Sequence, residues 1–449
     1  MGRLIGTDGA RGVANKELTC ELAMKIGRAA AMVLTDSTHT RPKVMIGTDT
    51  RISSDMLKAS IAAGLCSVGA DVLILGVVPT PAVAYLVKEY EYDAGIMISA
   101  SHNPCEYNGI KIFKADGFKL ADELEEKIES IILDEAAVPP VKIGGQVGII
   151  KRANTAREDY INHILSTSEY RYNGMNVAFD CANGSSSVTA QKLFESLGVK
   201  CHIISAEPDG LNINHNCGST YIENLQKYVK ENKCDLGFAF DGDADRLIAV
   251  DENGNIVDGD KIIALCAKDM KETGRLKSDT AVVTVMSNMG FFKFADENGI
   301  VCKKTKVGDR YVLEEMLKEN YVIGGEQSGH VIFLDYSTTG DGQLTAVQIL
   351  RAIKRTGKKL SELASCMEVF PQVLFNVKVS NFGKVRFEDD AEIKIAIKEA
   401  EQELGEDGRV LVRVSGTEPL VRVMLEGKDL KQIETLGKEI AELVRERLI

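Results

Sequence analysis

No apolar stretch in this 449-residue chain approaches the ~20 residues that a membrane-spanning helix needs. The first residues, Met1-Gly2-Arg3-Leu4-Ile5-Gly6, carry no signal-peptide core. Gly6 also stands where a myristoylation motif needs Ser or Thr. No basic block is present: 54 Lys and Arg face 66 Asp and Glu, a formal net charge of −12. That balance argues against nucleic acid and against anionic membrane surfaces. A phosphorylated ligand would therefore have to be held by a local cluster of Arg and Lys. None of the ten cysteines, spread from Cys20 to Cys366, forms a Cys-x-x-Cys pair. Neither a disulfide framework nor a thiolate zinc site is expected. The pattern reads as a cytoplasmic chain with reduced thiols, most of them small core residues.

What is present is enough apolar residue, 44% of the chain, to bury several cores. The length suggests three or four domains. Thr19 is placed to N-cap a helix running to about Leu34, and Lys43-Val44-Met45-Ile46-Gly47 reads as a strand. Helix, strand and helix follow: Ser53 or Ser54 to Gly69, Asp71 to Leu75, and a start at Pro79-Thr80-Pro81. A strand over Ala94–Ile98 leads to Ser101, and a helix spans about 122–134. Such alternation implies βαβ units. The pattern restarts at Asn176 and again near Gly259. The last ~80 residues differ, with strands near 373–379 and on both sides of Ser415 and helices over 391–404 and 430–448. The expected division is 1–152, 153–254 and 255–367 as three related α/β domains with mixed sheets, then 368–449 as a smaller α+β domain on a single connection near residue 367.

Five stretches carry chemistry. In Ser99-Ala100-Ser101-His102-Asn103-Pro104 a hydroxyl reaches a loop at a strand end, beside an imidazole, where α/β proteins keep reactive groups. In Asp241-Gly242-Asp243-Ala244-Asp245-Arg246 three carboxylates alternate after an apolar run. At ~4 Å and an effective dielectric near 20, each pair repels by roughly 4 kcal/mol. A hard cation resolves that repulsion, magnesium being the natural one for carboxylates plus a phosphate oxygen. A solvated acidic turn is the plainer reading. An EF-hand, with Glu252 at loop position twelve, conflicts with Arg246 at the glycine position. Between two strands, Arg413, Ser415, Gly416, Thr417 and Arg422 offer hydroxyls, a backbone N–H and two guanidiniums for a phosphate, or else form an ordinary hairpin turn. Glu326, Ser328 and His330 lie on a Gly-rich loop suited to sugar hydroxyls, or to a polar turn with a structural imidazole. Gly6-Thr7-Asp8-Gly9-Ala10-Arg11-Gly12 resembles a phosphate loop without being a Walker A motif, and Arg11 is placed to reach a phosphate.

Taken in order, "GTDGARGVAN", "ISASHNP.EYNGIKIF", "PDGLNINHNCGST", "FDGDADR", "KVGDRYV", "GGEQSGH" and "RVSGTEPLVRVM" resemble the α-D-phosphohexomutase superfamily over essentially the whole chain. The third, fifth and sixth segments favour its glucosamine branch. Ala10 stands where Val is more usual there. The resemblance implies four domains around a central cleft, each giving one loop to it. It implies an isomerase that interconverts glucosamine 6-phosphate and glucosamine 1-phosphate through phosphorylated Ser101 and a 1,6-bisphosphate. A hexose or hexosamine 1,6-bisphosphate would act as activator. Magnesium would be held by Asp241, Asp243, Asp245 and a Ser101 phosphate oxygen. Lys111, Arg246, His102 and His330 are the implied acid–base and charge-stabilising groups, unranked. Arg11, Glu326, Ser328 and the C-terminal loop residues would bind substrate. The expected partner is a small sugar phosphate, with no nucleic acid and no membrane; a homodimer is left open. The alternatives are a phosphomannomutase or phosphoglucomutase, and a catalytically silent sugar-phosphate binder.

Overall fold

The computed structural model describes residues 3–6, 9–34, 41–415 and 419–448. The chain forms two compact units: residues 1–286 with 299–366, and residues 287–298 with 367–449.

The first unit holds three mixed sheets. Strands β1 (Ala10–Val13), β2 (Lys43–Thr48), β3 (Asp71–Val77), β4 (Ala94–Ile98), β5 (Tyr107–Lys114) and β6 (Ile150–Arg152) make the first, in the order β1-β5-β4-β2-β3-β6. The second contains β7 (Asn176–Asp180), β8 (Lys200–Ile204), β9 (Leu236–Phe240), β10 (Leu247–Asp251) and β11 (Ile256–Val257), in the order β11-β10-β9-β7-β8. The third is β12 (Thr280–Thr284), β13 (Val301–Thr305), β14 (Ile323–Gly325) and β15 (Val331–Phe333), in the order β13-β12-β14-β15. The middle of each sheet is parallel and buried on both faces, so β4 and β9 read as unbroken apolar runs. Around the first sheet, Ile26, Ile46, Ile61, Leu65, Ile96 and Ile98 share one core with the helices Cys20–Leu34 and Ser53–Ser67.

One topological feature recurs in all three sheets. A buried strand ends, a short polar loop follows, and the chain returns antiparallel beside the strand it has just left: β4 to β5, β9 to β10, β14 to β15. The three loops are those that carry Ser101, Asp241 and Glu326. The return strands β5, β10 and β15 are absent from the sequence reading above. In β5 the reason is visible. Asn108-Gly109 looks like a turn, yet the side-chain amide of Asn108 donates to Ser53 Oγ (2.9 Å) and Ser54 Oγ (3.2 Å). A Cβ on Gly109 would come within 2.5 Å of Ser99 O, so this strand can lie beside the serine loop only with glycine there.

In the second unit β16 (Gln372–Lys378), β17 (Gly408–Val414) and β18 (Leu420–Gly427) form an antiparallel sheet, with β18 central. The helices Ala391–Leu404 and Leu430–Leu448 pack on it through Ile393, Leu404, Ile433, Ile440 and Val444. The expectation of a single connection near residue 367 is corrected here. The helix Met289–Glu297 belongs to this unit, so the chain passes between units three times. Its anchors are specific. Asn288 Oδ1 accepts from Phe370 N (3.0 Å) while its Nδ2 donates to Phe370 O (3.0 Å). The Glu426 carboxylate, buried, accepts from Met289 N (2.9 Å) and Arg409 Nε (2.6 Å). The thiols also need correction: five cysteines are buried and five are half-buried.

Candidate active site

The loop after β4 places Ser101 with φ 54, a left-handed conformation that costs a non-glycine residue about 1–3 kcal/mol. Neighbouring groups hold it there. Ser101 N donates to Ser99 Oγ (3.0 Å). Ser101 O accepts from Arg51 Nη2 (3.0 Å) and Asn214 Nδ2 (2.9 Å), and the same two side chains reach Asn103 O at 2.8 and 3.1 Å. Arg51 also donates to Pro104 O and Tyr107 O, and it is paired with Asp49 at 2.8 Å, both side chains fully buried. Arg51 comes from the loop after β2 and Asn214 from a loop in the second sheet's sequence. Sequence reasoning assigned neither a role, although "GTDTR" following a strand and "DGLNIN" are visible signals.

Ser101 is buried, and its hydroxyl donates to Asp241 Oδ2 at 2.6 Å. The contact with His102 Nδ1 is longer, 3.4 Å. That nitrogen accepts from Arg246 Nη1 (3.1 Å), which leaves the ring proton on Nε2. Burial, then the positive charges of Arg246 and Arg11, push the His102 pKa down to about 4. His102 is thus a neutral group near pH 7.

Asp241, Asp243 and Asp245 are all buried, and one ligand atom from each lies within 4.8 Å of the others. Asp243 Oδ2 accepts from Thr80 Oγ1 (2.5 Å) and Lys111 Nζ (2.6 Å), and Asp245 Oδ2 accepts from Lys111 Nζ (3.0 Å). Among the described residues, Oδ1 of Asp243 and Oδ1 of Asp245 are buried with no hydrogen-bond partner. Desolvation, then the charges of Asp245 and Asp243, drive the Asp241 pKa upward. A buried Asp243 Oδ1 with no hydrogen-bond partner, an Asp245 Oδ1 met only by longer contacts to His330 Nδ1 (3.8 Å) and Arg246 Nε (4.0 Å), and a carboxylate that resists ionising are the marks of a site that wants a cation, so the residues present fit a hard divalent metal. The EF-hand alternative fails: Glu252 instead accepts from Ser361 Oγ at 2.6 Å.

His330 is buried between two carboxylates, with Nδ1 3.8 Å from Asp245 Oδ1 and Nε2 3.5 Å from Asp309 Oδ2. In the neutral ring Gly340 N donates to Nε2 (3.0 Å) and the proton sits on Nδ1. Burial alone would lower its pKa, but Asp245 and Asp309 outweigh it and raise it. Asp309 also pairs with Lys119, a link that the sequence reading did not foresee. Glu326 Oε1 accepts from Gly308 N (3.0 Å), and burial raises its pKa. Ser328 is exposed on the same loop. Arg11 lies on β1, in register with Gly109, two residues along β5 from Lys111.

In the second unit, Arg413 on β17 stands directly opposite Arg422 on β18. Like charges facing each other across a sheet repel. Burial, then the Arg422 charge, lowers the Arg413 pKa. Ser415 is buried and its N–H donates to Leu420 O (2.9 Å). Gly416 and Thr417 lie outside the described residues.

Four family models match in order along the chain: phosphoglucomutase/phosphomannomutase alpha/beta/alpha domain I at residues 2–138, domain II at 158–254, domain III at 258–370 and the C-terminal domain at 374–443. The chain belongs to the phosphoglucomutase/phosphomannomutase family. Within it, the chain is 56% identical to phosphoglucosamine mutases of Acetivibrio thermocellus, over 448 residues, and of Clostridium acetobutylicum, over 447, each alignment covering 100% of both chains. Among solved structures it resembles a phosphoglucomutase/phosphomannomutase family protein of Burkholderia thailandensis (TM-score 0.84, 24% identity, 99% of this chain and 98% of that one). It also resembles an Aspergillus fumigatus N-acetylphosphoglucosamine mutase solved with GlcNAc-6P and magnesium (TM-score 0.73, 17% identity, 99% and 96%). At those identities the two structures speak for the fold alone.

Proposed function

We propose that this chain interconverts glucosamine 6-phosphate and glucosamine 1-phosphate, as the name of its full-length relatives indicates for them. The observation that carries the chemistry is the buried Ser101 hydroxyl, 2.6 Å from Asp241 in the three-aspartate loop. Phosphorylated Ser101 gives its phosphoryl group to O1 of glucosamine 6-phosphate. The Oγ–P bond breaks, the O1–P bond forms, and the O1 proton leaves to a base. The 1,6-bisphosphate turns over, its 6-phosphoryl returns to Ser101 Oγ, and O6 regains a proton as glucosamine 1-phosphate departs. Magnesium bound by Asp241, Asp243, Asp245 and a phosphate oxygen on Ser101 would neutralise charge on the transferring group.

Lys111, held between Asp243 and Asp245, adds a fixed positive charge beside that group. Arg246 donates to His102 and supplies a second. His330 is the candidate proton carrier, because its two carboxylate neighbours favour the charged ring. Arg11 takes a phosphate. Glu326 and Ser328 read the sugar, Glu326 setting a carboxylate against the C2 ammonium. Arg413, Ser415, Gly416, Thr417 and Arg422 take the phosphate that is not reacting, and that anion relieves the Arg413–Arg422 repulsion. The functional domains are 1–152, 153–254, 255–367 and 368–449, with the helix Met289–Glu297 of the third packed into the C-terminal unit. A hexose or hexosamine 1,6-bisphosphate primes unphosphorylated enzyme. The protein works in the cytoplasm, without nucleic acid. Among the described residues no helix is long and apolar enough to cross a membrane.

Intact-mass measurement tests the mechanism. Parent enzyme primed with bisphosphate should show a species about 80 Da heavier, one added HPO₃. Ser101→Ala should lose that species together with nearly all turnover. Normal turnover in that variant would refute the mechanism, and a higher kcat/KM for mannose or glucose phosphate would refute the sugar assignment.

A further inference from the structure

Thr80 lies far in sequence from the aspartate loop and has no role in the reading above. It opens the helix Thr80–Glu89 in the first sheet's domain, flanked by Pro79 and Pro81. It is fully buried. It meets Asp243 twice: its backbone N–H donates to Asp243 O (2.9 Å) and its hydroxyl donates to Asp243 Oδ2 (2.5 Å). The two attachments grip the residue at both ends, carbonyl and carboxylate, which fixes the direction of the side chain as well as its position. The anchor is itself stiff. A β-branched side chain has restricted χ1, and proline on either side limits the backbone.

The consequence falls on the other carboxylate oxygen. Oδ2 is occupied by Thr80 and Lys111, at 2.5 and 2.6 Å. Oδ1 is left buried with no hydrogen-bond partner among the described residues. A carboxylate so divided has one oxygen committed to the protein and one reserved. The two donors are not equivalent. Lys111 brings charge and touches Asp245 as well (3.0 Å), so changing it alters the electrostatics of the whole cluster. Thr80 brings no charge, and its hydroxyl donates to Asp243. Its effect is one of orientation.

We propose that Thr80 is a positioning residue for the cation site, holding Asp243 so that its free oxygen is presented to a divalent metal. The proposal rests on the assignment of the aspartate cluster as that site. A short hydrogen bond from a hydroxyl to an ionised carboxylate is among the stronger neutral–charged contacts. Partners of this kind typically change metal affinity roughly 10- to 100-fold when removed.

The test is Mn²⁺ binding to the full-length protein, read by the electron paramagnetic resonance of free Mn²⁺, with no substrate and no turnover. Thr80→Val keeps the shape, the branching and the backbone N–H but loses the hydroxyl. Thr80→Ser keeps the hydroxyl and loses only a methyl group. Thr80→Val should weaken Mn²⁺ binding roughly 10- to 100-fold, whereas Thr80→Ser should stay within about threefold of the parent. Thr80→Ala, smaller than Val and free of overpacking, should match Thr80→Val. Parent-like affinity in Thr80→Val or Thr80→Ala would overturn the positioning role while leaving the metal site intact. Equal weakening in Thr80→Ser and Thr80→Val would overturn it too, because the hydroxyl would then be irrelevant. A parent protein that binds no Mn²⁺ would remove the metal assignment and this proposal together.

Discussion

Gly242 offers a sharp perturbation, a single methyl group placed against the nucleophile's own backbone. A Cβ there would stand 2.6 Å from Ser101 O, 2.8 Å from Ile213 Cδ1 and 2.9 Å from Asn214 Nδ2. Gly242 has no positive φ, so alanine meets no conformational penalty and the effect is one of space alone. The isoleucine methyl can swing aside. The carbonyl cannot, because Arg51 and Asn214 both donate to it. Ordinary contact begins at 3.4 Å, so Ser101 O and the aspartate loop must part by about 0.8 Å. That shift is large beside the 2.6 Å hydrogen bond joining Ser101 Oγ to Asp241 Oδ2. A misplacement of about 1 Å at reacting groups can cost on the order of a hundredfold in rate. Gly242→Ala should therefore lower kcat for glucosamine 6-phosphate on the order of 10- to 100-fold. The loss should fall on kcat more than on KM, because the substrate-reading loops are elsewhere. A coupled assay for glucosamine 1-phosphate, run beside a melting curve to confirm folding, reads this directly. A folded variant with kcat within about twofold of the parent would refute the claim that this close approach sets the geometry of the nucleophile.

Two further outcomes follow from the same structure. Glu125, 13% exposed beside Arg310, has its pKa pushed up to about 7, chiefly by burial; Arg310 opposes the rise, and Asp122 and Glu129 add to it. A carboxyl raised in the folded state favours folding while protonated. Its contribution is fullest below the unfolded value of 4.5 and is lost as pH rises through about 7. Glu125→Gln should flatten the melting temperature between those limits and exceed the parent above pH 7; an unchanged slope would contradict the assignment. Arg422→Ala should raise KM for the sugar phosphate and lower kcat/KM roughly tenfold to a hundredfold, as expected for the loss of about 1.5–3 kcal/mol of charge-assisted bonding, while Ser101 still gains its phosphoryl mass. Unaltered kinetics would show that this arginine takes no phosphate.

The sequence by itself determined much of this protein. Chain-local signals set the helix N-capped at Thr19, the buried strands over Ala94–Ile98 and Leu236–Phe240, and the final helix Leu430–Leu448. Each is dictated within about a dozen residues, by apolar periodicity and by turn or capping residues. The chemistry-bearing groups were legible for a similar reason: Ser101 follows a strand, and three alternating aspartates advertise a cation wherever they fold. The tertiary structure alone decided what faces what. Arg51, Asn214 and Thr80 contact Ser101 and Asp243 from 50, 113 and 163 residues away. No periodicity encodes such a distance; only the closing of the sheets brings these side chains to the loops. The return strand β5 hid behind an Asn-Gly pair because its glycine answers to a neighbouring carbonyl, not to a turn. The helix Met289–Glu297 follows a strand of the third sheet but belongs to the C-terminal unit, because Phe370, Arg409 and Glu426 satisfy the buried polar groups at its start. Local sequence fixes which groups exist and on what element. Long-range packing and the demand to satisfy every buried donor and acceptor decide their company.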